Sequence, residues 1–142
     1  MNNLFMNNLP PHYPLLEHAA DTLRAASGRG VNDLTLEAVA AGTLSPADLQ
    51  ISPEALRAQA AVAQAAGFAQ LAENLTRAAE LTAVPNAELL RMYEIMRPGR
   101  STHAELQALA VTLESQYHAP QTAALVREAA AVYQARGLAK RE

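Results

Sequence analysis

Pro85 divides two helical patterns, and its flanks constrain the fold more than any other stretch. Upstream, Phe68, Leu71, Leu75, Ala78 and Thr82 recur at spacings of 3 and 4. That places them on one narrow helical face, closer to a coiled-coil seam than to a broad core face. Leu81 and Val84 widen the face near its end. Gln70, Glu73, Asn74, Arg77 and Glu80 take the other side, with Glu73 set to reach Arg77 at i,i+4. A proline drives the residue before it out of the helical region, so this helix stops before Pro85. Asn86 stands where an N-cap belongs, and Glu88 puts negative charge in the first turn of the next helix. Leu89, Leu90, Met92, Tyr93, Ile95 and Met96 surround most of that helix, so it should be contacted on more than one side. Arg97-Pro98-Gly99-Arg100 ends it, and Thr102 with Glu105 makes a capping box for a third helix.

The rest of the chain is punctuated in the same way. Residues 1–11 are asparagine-rich and end in Pro10-Pro11, the composition of a flexible arm. Leu15, Leu16, Ala19, Ala20 and Leu23 then line one side of a short amphipathic helix, which Ser27-Gly28-Arg29-Gly30 breaks flexibly. Residues 34–42 give a short helix capped by Thr35 and stopped by Gly42. Ser45-Pro46-Ala47-Asp48 and Ser52-Pro53-Glu54 each combine cap, proline and acid at a helix start. The second opens a helix over residues 53–66 with a thin stripe of Leu56, Ala60 and Ala63. Its small residues permit a close antiparallel hairpin with the helix that follows. Leu106, Leu109, Ala110, Leu113 and Tyr117 define one face over residues 102–117. After Ala119-Pro120, Leu125, Val126, Ala129, Val132 and Tyr133 form the expected buried side of the last helix. No stretch alternates as a strand does. The expected fold is all-α, six or seven helices in antiparallel hairpins with a flexible N-terminal arm. The expected divisions are an arm with its short helix over 1–33, a helical domain over 34–137 and a charged tail over 138–142.

Composition narrows the function classes. The chain has 142 residues, one domain by length, and no cysteine. Disulfides and thiolate metal sites are excluded, which fits a reducing cytoplasm. A net charge of −3 argues against nucleic acid as a partner, because neutralising phosphates needs a basic face. No apolar run approaches the roughly 20 residues of a membrane span. Charged residues are 18% of the chain against about 25% in an average domain. Either another chain covers part of this surface, or alanine-rich helices pack closely and expose small apolar patches.

Catalytic machinery is hard to find. His12, His18, His103 and His118 lack metal-ligand spacing, and there is no phosphate-binding glycine loop or serine elbow. Glu80, Glu94, Glu114 and Glu128 read as solvated or helix-supporting carboxylates. Arg97 and Arg100, flanking Pro98-Gly99, suit capping or a partner's acid. Tyr93, Tyr117 and Tyr133 each suit a core position with one satisfied hydrogen bond, or an interface anchor. Tyr93, Met96, Arg97, Arg100 and Tyr133 are the candidate interface residues, and no residue is assigned to catalysis, cofactor or metal.

The run ENLTRAAELTAVPNAELLRMYEIMRPGRST, together with LTLEAVAAG, ISPEALRAQA and LVREAAAVYQARG, resembles the small (gamma) subunit of adenosylcobalamin-dependent diol and glycerol dehydratases. These blocks are collinear from Leu34 to Gly137. The segment around Val31-Asn32 and Gln50 departs from the usual family pattern. The resemblance implies a non-catalytic subunit that stabilises a large (alpha) subunit, with a medium (beta) subunit completing a dimer of heterotrimers. It implies that adenosylcobalamin is held by the large and medium subunits, and that the assembly turns 1,2-diols or glycerol into aldehydes with loss of water by a radical mechanism. It implies a cytoplasmic location and leaves residence in a bacterial microcompartment open. The rival reading is a stand-alone helical adaptor with no enzyme partner.

Overall fold

A computed structural model describes residues 12–141; the arm expected over residues 1–11 and the final Glu142 lie outside the described residues. Seven α-helices are present among them: α1 (Leu15–His18), α2 (Leu36–Ala40), α3 (Pro53–Ala65), α4 (Ala69–Leu81), α5 (Asn86–Ile95), α6 (His103–Tyr117) and α7 (Pro120–Arg136). The fold is all-α. The described residues contain no strand, only one isolated antiparallel bridge between Arg24 and Gly30. The chain divides into two units, Met1–Ala79 and Glu80–Glu142.

In the first unit the amphipathic helix expected from residue 15 to residue 23 is only one turn long. Ala19 leaves the helical region at φ −144°, and the Thr22 hydroxyl donates to the Ala19 carbonyl at 2.7 Å, starting a separate 3-10 turn. The glycine break is an ordered turn. Ala25 N–H donates to the Arg29 carbonyl and Gly28 N–H to the Ala25 carbonyl, both at 2.8 Å, with Gly28 at φ 88°. The three expected caps form. Thr35 Oγ1 accepts from Ala38 N–H and Ser52 Oγ from Ala55 N–H, while Ser45 and Asp48 make a full capping box over a single 3-10 turn, Pro46–Leu49.

α3 and α4 meet through small side chains: Ala60, Ala63 and Ala72 are buried together, with Leu75 packed on them. The seam expected on α4 is not its buried face. Phe68 and Leu71 remain 62% and 50% exposed, Ala78 and Thr82 are exposed, and Ala72 and Ala79 are buried instead. The reason is volume. The α3–α4 contact is sparse and made of small side chains, too shallow to cover Phe68 and Leu71.

The second unit has a denser interior. Leu106, Leu109, Ala110 and Leu113 of α6 are buried, with Tyr117 packed beside them, the face expected from spacing. On α7 the buried side is Thr122, Ala123, Val126 and Ala130, with Tyr133 half-buried. Leu125 and Val132, expected inside, are 41% and 38% exposed. α7 carries alanine on nearly every side, so its buried side is chosen by what faces the α6 leucines. The link between these two helices is short. His118 takes the left-handed conformation at φ 52°, and Ala119 N–H closes the turn on the Leu113 carbonyl at 2.9 Å.

α5 starts one residue earlier than its cap reading implied. Pro85 is extended (φ −57°, ψ 142°), and its carbonyl accepts Leu89 N–H at 2.9 Å, so Asn86 is already helical and caps nothing. At the other end Ser101, buried, donates its hydroxyl to the Ile95 carbonyl at 2.9 Å, a C-terminal cap. Thr102 and Glu105 form the expected capping box immediately afterwards. Chain beyond α7 returns to this corner, with Gly99 N–H donating to the Leu138 carbonyl and Lys140 N–H to the Ser101 carbonyl.

Candidate subunit interface

The candidate interface residues gather, in part, at the end of α5. Tyr133 donates its hydroxyl to the Met96 carbonyl at 2.8 Å, and both residues pack against the interior of the second unit. For Tyr133 the core description with one satisfied hydrogen bond therefore fits. Arg97 and Arg100 both engage Glu94, at 3.0 and 3.2 Å. The Arg97 hydrogen bond, with help from both guanidinium charges, holds the Glu94 carboxyl below the ordinary glutamate range. Tyr93 stands apart from these: it is 61% exposed, and Leu90, one turn earlier, is 70% exposed. One face of α5 is therefore uncovered, although apolar residues surround the helix.

Two polar ties went unread in the sequence. Glu80 accepts from Gln121 N–H, Thr122 N–H and the Thr122 hydroxyl at 3.0, 2.8 and 2.6 Å. It caps α7 from forty residues away in the chain, and no local spacing rule points to such a contact. In the first unit the buried Asp48 is the hub of a small network. Ser27 donates its hydroxyl to Asp48 Oδ1, Ser45 donates its N–H and hydroxyl to Oδ2, and Arg29 Nε lies 3.7 Å away while its Nη2 donates to the Thr43 carbonyl. The Ser27 and Ser45 hydrogen bonds hold the Asp48 carboxyl below the usual range. Glu114 is lowered in the same way by the hydrogen bonds of Arg127, which joins α7 to α6.

Among the described residues no three histidine or acid side chains are placed to share a metal ion. His118 is an exposed turn residue, and His103 meets only Gln107, at 3.4 Å. Two of the open grooves among the described residues differ in their lining. One, of about 360 Å³, is lined by Arg91, Ile95, Arg100, Ser101 and Glu105 among others. The other, of about 430 Å³, is lined by Tyr13, Gln59, Val62, Ala66, Phe68 and Leu71. No described helix is long and apolar enough to cross a membrane.

The feature that does stand out is uncovered apolar surface. Among the described residues of the first unit Leu16, Leu36, Val39, Leu49, Ile51, Phe68 and Leu71 are exposed, while the buried apolar residues other than Leu15 are all alanine. The exposure of Leu36, Leu49 and Ile51 could not be foreseen, because they lie in turns and helices too short to show a periodicity.

The chain is similar to known proteins along most of its length. A family model described as the dehydratase small subunit matches residues 10–140. The propanediol dehydratase small subunits of Citrobacter freundii and of Salmonella typhimurium strain LT2 are each 46% identical to this chain over 121 residues, 85% of this chain and 70% of theirs. With a match running through almost every described element, the chain belongs to the dehydratase small-subunit family.

Proposed function

We propose that this chain is the non-catalytic small subunit of an adenosylcobalamin-dependent diol dehydratase acting on 1,2-propanediol and glycerol. The observation that carries the reading is its 46% identity, over 85% of its length, to two propanediol dehydratase small subunits. Its uncovered apolar side chains support the reading, because a subunit that buttresses a larger chain needs such a surface. Adenosylcobalamin, which the large and medium subunits would hold, would supply the radical chemistry for the dehydration. This chain contributes apolar and hydrogen-bonding surface that holds the large subunit in its working form. Tyr93, with Met96, Arg97, Arg100 and Tyr133 around the end of α5, forms part of that contact. Residues 34–137 are the part held in the assembly, a cytoplasmic dimer of heterotrimers, with residues 1–33 as an arm and 138–142 as a tail.

The test is co-expression with a large and a medium dehydratase subunit. The three chains should co-purify in equal amounts and dehydrate 1,2-propanediol and glycerol, and alanine at His103 or His118 should leave turnover of the assembled complex unchanged. A chain that stays monodisperse alone and ignores both companions is an adaptor of another kind, and the proposal then fails. Loss of turnover from either histidine change would overturn its non-catalytic part.

A further inference from the structure

We propose that the chain fills a groove of its own: residues 4–9 seat in the apolar groove at the α3–α4 turn. The seat lies wholly within the first unit and needs no partner chain. Its shape begins at the turn. Gly67 takes φ 84°, which lets the chain reverse, and Phe68 N–H donates to the Ala63 carbonyl at 2.9 Å. The small side chains of Ala63 and Ala66 leave room beside Val62, Phe68 and Leu71, a groove of about 430 Å³. No charged side chain is among the described residues that line it. Phe68 and Leu71 are left 62% and 50% exposed.

Tyr13 names the occupant. It is part of the groove's lining and stands next to His12, where the described chain begins. Residues 1–11 are therefore tethered at the groove's rim. They carry Leu4, Phe5, Met6 and Leu9 and no acidic or basic side chain. They match the lining in character and bring no side-chain charge that would have to leave water. Reach is sufficient: at up to about 3.6 Å per residue, Leu9 can lie up to about 14 Å from Tyr13 and Phe5 up to about 29 Å. Tethering decides between this segment and a second copy of the chain. A short linker gives an effective concentration on the order of 1 mM, so a free copy at about 1 μM would have to bind on the order of 1,000-fold more tightly to compete.

The absence of cysteine supplies the test, because Asn7→Cys takes a nitroxide spin label at one position. In the full chain the label should broaden the amide signals of Val62, Phe68 and Leu71, and reducing the nitroxide should restore them. Leu9→Glu, added to the labelled chain, should lower the ratio of seated to free segment on the order of tenfold, the loss expected when one large apolar side chain leaves its site. Phe68→Glu alters the opposite wall and should do the same, with the helix content by circular dichroism unchanged in both variants. Signals that stay sharp in the labelled chain overturn the proposal. Broadening that survives both Leu9→Glu and Phe68→Glu does so too, since it would come from the tether alone. A mixture of spin-labelled chain with isotope-labelled, spin-free chain identifies the source. Sharp signals in the mixture support a segment seated in its own chain, whereas broadening there would make a second copy the occupant and overturn the proposal.

Discussion

Replacing Glu80 with alanine tests whether a distant carboxylate is the true cap of α7. The helix has no cap of its own: Ala119 offers no side-chain acceptor, and Pro120 has no N–H to satisfy. Glu80 meets three donors there, the N–H groups of Gln121 and Thr122 and the Thr122 hydroxyl. Loss of an N-cap costs about 1 kcal/mol and up to about 2. The buried Thr122 hydroxyl loses its acceptor as well, at about 1–3 kcal/mol unless it turns to another carbonyl. Together these predict a destabilisation of about 2–5 kcal/mol for Glu80→Ala. Glu80→Gln keeps one acceptor oxygen without the charge and should lose about half as much. Thr122→Val removes the donor that most needs Glu80, so the double variant should be less unstable than the sum, with a coupling of about 1 kcal/mol. Urea unfolding followed by far-ultraviolet circular dichroism gives the energies, and exchange of the Gln121 and Thr122 amides localises the effect. A loss below about 0.5 kcal/mol, inside the range of ordinary surface changes, would show that water replaces the carboxylate at no cost and would refute the capping argument.

Two further outcomes follow from the same structure. Leu113, one of the largest fully buried side chains, should cost about 3–5 kcal/mol when cut to alanine; a loss under about 1 kcal/mol in urea unfolding would mean that the second unit has no tight core. The Asp48 hub should loosen in acid. Its carboxyl is held low in the folded chain, so its contribution is complete above the unfolded value of about 3.9 and disappears as pH falls through the lower, folded one. Exchange of the Arg29 and Ser45 amides, read against pH, reports that loss. Ser27→Ala removes the first cause of the depression and should move the loss to higher pH; a shift to lower pH would refute the assignment.

Much of the fold was legible wherever large side chains and caps coincide. α6 is the clear case: Thr102 and Glu105 mark its start, and only one side of it carries leucines that can bury. α7 defeats the same reading, because alanine around the helix leaves Leu125 and Val132 as the most conspicuous residues while packing selects Ala123, Val126 and Ala130. α4 fails for a related reason: a seam of Phe68, Leu71 and Leu75 is a real apolar face, but its spacing carries no information on whether the covering chain is this one or another. Four of the five candidate interface residues are neighbours, and Tyr93 stands apart. Tyr133, Met96, Arg97 and Arg100 meet around one corner, and Ser101, which pins that corner, escaped notice because an isolated serine has no distinctive spacing.

The order of the two units along the chain has a consequence during synthesis. The weakly filled unit, Met1–Ala79, is translated first, and the leucine-rich one, Glu80–Glu142, last. At about 5–20 residues per second the ribosome needs roughly 3–13 s to add the second. For that interval a nascent polypeptide carries Leu36, Ile51 and Phe68 into the cell before its best-packed half exists.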